Sequence, residues 1–145
     1  MRRRFRDQTC SVAQSLEIIG DWWTLLIIRD AFLGVRRFRD FAERLGISKN
    51  ILSRRLAHLV DHGVLERVDV GRHGEHYEYA LTTKGKDLFT VLTALRQWGD
   101  RWVYDGKAPL EVLDRRTGRP LPRVRVLDEQ GQPVRAGDLE LRLNG

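Results

Sequence analysis

In the stretch SKNILSRRLAHLVDHG, Ser48 to Gly63, an ammonium, a carboxamide, a hydroxyl and a guanidinium fall close together as Lys49, Asn50, Ser53 and Arg54. These are the groups that hydrogen-bond base edges and phosphate oxygens. Wound into a helix they share a face with Ala57, whose small side chain permits close approach, and Ser48 stands before them as N-cap and is assigned with them to the DNA contact. The opposite face carries Leu52, Leu56, Leu59 and Val60 at i, i+4, i+7 and i+8, the stripe of a helix packed on a core. Arg55, turned about 100° from Arg54, suits either a phosphate contact or a brace within the domain. A polar helix face standing alone is ordinarily no more than a solvated surface, so its meaning depends on what flanks it.

Further basic groups recur around it. Arg36 and Arg37 open the preceding helical segment, and Arg72 and His73 occupy a glycine-rich tip, GRHGE, where each pair could meet phosphate. His58 is assigned with His73 to the same work. The spacing of His58 and His62, i and i+4, can chelate zinc or nickel, and His73 and His76 flank the tip. No carboxylate spacing completes a ligand set, so neither a metal nor a cofactor is expected. Catalysis finds no support: there is no glycine-rich phosphate loop, no nucleophile elbow, and no Cys/His pairing that suggests a nucleophile with its base. Glu17, Asp21 and Asp30 fall on helix surfaces or caps, with no acid/base pair among them. The expected class is non-enzymatic.

The elements that must position these groups follow from periodicity. Val12, Leu16 and Ile19 mark a helix from Cys10 that stops at Gly20. Asp21 caps a second, to about Leu33, which is apolar on most sides (Trp23, Leu25, Leu26, Ile27, Ile28, Phe32) and should be the central buried helix. RRFRDFAERLG forms a third, with Phe38, Phe41 and Leu45 on one face; the turn Gly46-Ile47 leads into the fourth, which Gly63 closes. VLERVDV and HYEYALT alternate as strands around the glycine-rich tip. Thr82 or Thr83 then caps a long helix through Trp102 or Tyr104, in which Leu88, Val91, Leu92, Leu95, Trp98 and Trp102 repeat at helical spacing. This order is a helix-turn-helix followed by a wing, and it brings three basic elements to one side.

After the break at residues 105–109, PLEVLD, PRVRVLD and DLELRLN alternate and predict a three-stranded antiparallel appendage, with no internal repeat. The expected architecture is therefore mainly α with small β. It comprises a basic arm over residues 1–9, a winged helix-turn-helix and dimerisation domain over 10–105, and a β appendage over 106–145.

Composition agrees. With 145 residues the chain can bury one core of useful size, and a formal charge of +6 favours a polyanionic partner, nucleic acid first. WWTLLII is far shorter than the roughly 20 residues that span a bilayer, and no apolar segment follows the basic MRRRFR, so no membrane partner and a cytoplasmic location are expected. The 1 cysteine, Cys10, excludes an intrachain disulfide and suits a reducing compartment.

The stretch from Cys10 to Arg67, followed by YEYALTTKGKDL, resembles the HxlR-type winged helix-turn-helix transcriptional regulators of bacteria. The motifs that carry the resemblance are Cys10, Ile19-Gly20, Trp23-Thr24, Arg37-Phe38, Ile47 to Leu56 and Tyr79 to Gly85. It implies a homodimer, formed by the N-terminal and long C-terminal helices, on a pseudo-palindromic double-stranded DNA operator. The residues agree: the aromatic stripe Phe89, Trp98, Trp102 is wider than one monomer core requires, and a two-fold interface is its simplest partner. Val12, Leu16, Leu92 and Leu95 are assigned to the same interface, which would set two recognition helices roughly 34 to 36 Å apart. The resemblance also places Cys10 where some members sense oxidants or electrophiles, making it a candidate redox sensor. Some extended members resemble zinc ribbons in the tail, but the corresponding turns here hold no cysteine.

The reading is a sequence-specific DNA-binding regulator, a repressor in sign. Two other classes remain open. A sensor whose main event is binding a small-molecule effector or metal would use Trp22, Trp23, Trp98 and Trp102 as an apolar pocket. A sequence-neutral architectural DNA binder would follow from charge alone.

Overall fold

The computed structural model describes residues 10–71, 77–142 and 144. The basic arm and the tip residues Arg72, His73 and His76 lie outside them. Helix α1 spans Ser11–Ile19 and α2 spans Trp22–Phe32, where Asp21 Oδ1 accepts the Trp23 N–H at 2.9 Å. Helix α3, Phe38–Leu45, ends on Gly46, whose φ of 61° lies in the left-handed region that a residue without Cβ adopts freely. Two residues later Ser48 Oγ accepts the Ile51 N–H at 3.3 Å and starts α4, Lys49–Asp61. The tight turn thus comes from one glycine and one hydroxyl.

Strands β1, Leu65–Asp69, and β2, Tyr77–Leu81, pair antiparallel from Leu65↔Leu81 to Asp69↔Tyr77 and form the wing. The Tyr79 N–H donates to the Arg36 carbonyl at 2.8 Å, which ties the wing to the connection between α2 and α3. The core collects Ile27, Ile28 and Ala31 of α2, Phe41 of α3, Leu52, Leu56 and Leu59 of α4, and Val64, Leu65 and Leu81 around the wing base.

Four expectations require correction. Asp30 is not on a surface: it is fully buried, with Arg29 Nη2 3.1 Å from Oδ1 and Arg44 Nε 3.3 Å from Oδ2. Its position in α2 alone did not disclose the two guanidinium groups, one from α3, that compensate a buried carboxylate. The long helix begun at Thr82 is two pieces, α5 over Thr83–Lys86 and α6 over Phe89–Trp102. Gly85 lies so close to the wing base that a Cβ there would stand 2.2 Å from the Val64 carbonyl oxygen, and the Leu88 N–H bonds back to Gly85 O at 3.1 Å, a tighter turn than an α-helix makes.

The remaining two concern the tail. Among the described residues its regular pairing is limited to β3, Leu113–Asp114, with β4, Arg119–Pro120, and a bridge between Leu127 and Pro133. The described residues of DLELRLN form no strand; a 3-10 turn occupies Ala136–Asp138, and Leu139 and Leu141 are 64% and 94% exposed. Prolines at 120, 122 and 133 withhold N–H groups from longer ladders, and alternation predicts a strand only where one face can be covered. The two turns also repeat a pattern, VLDRRTGRP and VLDEQGQP, in which Asp114 and Asp128 each accept backbone N–H groups from the turn that follows.

The chain divides into two compact units, Met1–Leu92 and Thr93–Gly145, with the division within α6. In the second unit the Gln97 carboxamide donates to the Pro122 carbonyl at 3.0 Å and accepts the Val124 N–H at 2.8 Å, pairing a helix side chain with tail backbone.

The Asp114 carboxylate is held below the usual aspartate range, first by the Arg116 side chain and then by the Arg116 backbone N–H. A depressed folded pKa stabilises the turn above the unfolded value and loses that contribution as pH falls through the folded value. Carboxyl NMR should therefore find Asp114 titrating at lower pH than an ordinary aspartate, and Arg116→Ala should move its midpoint upward.

Candidate nucleic-acid interface

Helix α4 presents two faces of opposite character. Leu52, Leu56 and Leu59 are fully buried, while Ser48, Lys49, Asn50, Ser53 and Arg54 are exposed and Ala57 is half-buried between them. Burial of three leucines fixes which way the polar face points. Arg54 forms no ion pair among the described residues, whereas Arg55 Nη2 lies 2.9 Å from Asp21 Oδ2 with both side chains largely covered. Of the two roles open to Arg55, the geometry shows the brace: it ties α4 to the N-cap of α2.

His58 is likewise engaged, its Nε2 lying 2.9 Å from the Ile18 carbonyl oxygen; because a carbonyl only accepts, Nε2 carries the proton. Its ring stands 4.5 Å from that of His62. This helix-to-helix tie, not a phosphate contact, is what the structure shows for His58. Among the described residues no three His, Cys, Asp or Glu side chains gather as a metal site.

Arg36 also turns inward, donating from Nη1 to the Ala31 carbonyl at 3.0 Å. Arg37 remains outward, 70% exposed and 3.8 Å from Glu78 Oε1. With Arg39, Tyr77 and Tyr79 it lines a groove of about 640 Å³ between the start of α3 and the outer end of the wing ladder. Arg39 and Tyr77 were not singled out from sequence; the Arg-x-Phe-Arg spacing was visible, but nothing local brings a strand tyrosine beside it.

The assigned interface residues fall into two groups. Val12, Leu16, Phe89, Leu95, Trp98 and Trp102 are all more than 40% exposed, whereas Leu92 is half-buried and packs against the core. Trp98 and Trp102 border a groove of about 420 Å³ in the second unit with Arg101, Leu121 and Arg123, and Trp22 and Trp23 line another in the first unit. Cys10 is exposed and adjoins α1 as its N-cap.

The family model described as HxlR-like helix-turn-helix matches residues 18–107. The chain belongs to this family. It is 46% identical over 99 residues to an HTH-type transcriptional regulator of Mycobacterium bovis, covering 68% of this chain and 63% of the relative, so it spans less than two thirds of that protein. The solved structure of the transcription factor PA1607 is similar over 98% of this chain and 100% of its own, with 41% identity and a TM-score of 0.88. The redox regulator HypR in its reduced form is similar over 67% of this chain and 99% of its own, with 25% identity and a TM-score of 0.60. No described helix is long and apolar enough to cross a membrane.

Arg55 and Arg54 should separate in a stability measurement. Arg55→Ala leaves the partly buried Asp21 carboxylate without its ion pair and should lower urea-unfolding stability by about 1 to 3 kcal/mol. Arg54→Ala should change it by less than about 0.5 kcal/mol.

Proposed function

We propose that this family member is a sequence-specific, double-stranded-DNA-binding repressor, acting as a homodimer in the cytoplasm and without catalytic activity. The observation that carries the reading is the exposed polar face of α4, without ion pairs among the described residues and held outward by a fully buried leucine stripe. Arg37 and Arg39 neutralise phosphates and set register, and Arg72 and His73 are assigned the same role at the wing tip. Lys49, Asn50, Ser53 and Arg54 inspect base edges in the major groove. Repression follows from a bound dimer occupying DNA that polymerase needs.

Dimerisation is supported by large apolar side chains left in water, Val12 and Leu16 on α1 and Phe89, Leu95, Trp98 and Trp102 on α6. A second copy of the chain covers them most simply, since a two-fold interface uses the same patch twice. A redox-responsive version is favoured by the exposure of Cys10 and by the similarity to HypR; as the 1 cysteine in the chain it would join two subunits. The groove beside Trp98 and Trp102 is the candidate site for a small-molecule effector.

Arg54→Ala should weaken binding to a preferred duplex by about 1 to 3 kcal/mol and relax discrimination at one base position in a gel-shift competition. Undiminished discrimination would remove Arg54 from base reading. Leu95→Glu should shift sedimentation from dimer toward monomer and lower affinity for a two-half-site duplex by at least tenfold; a dimer with unchanged affinity would place the interface elsewhere.

A further inference from the structure

Trp22 opens α2 with 75% of its surface in water, although a ring of this size is usually covered. It lines a groove of about 310 Å³ with Asp21, Trp23 and three residues of α4: Ile51, Arg54 and Arg55. Those three, at i, i+3 and i+4, form one stripe of the helix. Arg54 belongs to this stripe and also to the polar face that carries Asn50 and Ser53, so the groove and that face meet along a single side chain.

Charge decides what the groove accepts. Its one carboxylate, Asp21, is neutralised by Arg55 at 2.9 Å, and Arg54 has no ion-pair partner among the described residues. The groove therefore offers an uncompensated cation beside a flat apolar ring that carries one N–H donor. A sugar-phosphate backbone has the matching parts: an apolar deoxyribose edge and an anionic acceptor.

Resting on the proposed function, we infer that Trp22 is a DNA-positioning residue: its ring lies against the deoxyribose of the strand flanking α4, and Nε1–H donates to a phosphate oxygen. A duplex that reaches Asn50, Ser53 and Arg54 comes up against Trp22, which is why this occupant is favoured over a second copy of the chain. The contact holds the register in which Arg54 meets its base, and it is blind to sequence.

The test uses the full chain, a duplex selected by the wild-type protein from random sequence, and a mixed-sequence duplex as control. Trp22→Lys places a cation where a phosphate is inferred, and it should steepen the dependence of log affinity on log salt by about one for both duplexes. Trp22→Phe keeps a ring but loses the N–H; it should weaken both duplexes several-fold and abolish part of the tryptophan fluorescence change seen on binding. Wild-type protein that binds the selected duplex, with a Trp22→Lys variant of unchanged salt slope, overturns the inference alone. An unchanged slope with altered sedimentation also overturns it and gives Trp22 to a subunit contact. Wild-type protein that binds neither duplex overturns the proposed function together with the inference.

Discussion

Leu52, Leu56 and Leu59 can all leave water only if α4 lies against α2 and α3 in one rotational setting. Each such side chain contributes roughly 1.5 to 3 kcal/mol when fully buried, against about 0.5 to 1.5 kcal/mol for a typical hydrogen bond. Apolar packing therefore chooses the orientation of α4, and the polar side chains take the directions that remain. A rotation by one residue would bury Ser53 and expose a leucine, losing on both counts. The exposed Lys49, Asn50, Ser53 and Arg54 are in this sense a product of the core.

Polar ties then fix angles that packing alone leaves soft. Asp30, fully buried in α2, is compensated by Arg29 and by Arg44 of α3, so the first helix of the helix-turn-helix is pinned to the central helix. Arg55 with Asp21, and His58 with the Ile18 carbonyl, fasten the second helix to α2 and α1. Tyr79 and Arg36 join the wing to the same body through backbone. Asp21, Asp30, Arg36, Arg55 and His58, which a sequence presents as free charge or titratable surface, are therefore engaged inside the domain, and the cations that remain outward are fewer and more defined in position.

Helix positions and caps were legible because they are local. Asp21, Gly46 and Ser48 act within a few residues of where they stand, and the i, i+4, i+7 stripe of α4 is a property of one segment. What escaped was long-range. Nothing in RRF distinguishes Arg36, turned into the fold, from Arg37, left outside it, and Arg55 could not be told from a phosphate contact until Asp21 was placed beside it. Trp22, which the sequence assigns to an apolar effector pocket, faces water next to Arg54. In the tail, alternation predicts strands, whereas among the described residues prolines hold the ladder to Leu113–Asp114 with Arg119–Pro120.

The central claim is that the outward face of α4 reads base sequence, and that two copies read it together. Selection of bound duplexes from a fully random pool by the purified chain measures both at once. The account predicts enrichment of one inverted repeat whose half-sites are centred about one helical turn, roughly 34 to 36 Å, apart. Strong binding with no enriched sequence would contradict it, because a cationic surface that attracts phosphate without inspecting bases would then be sufficient.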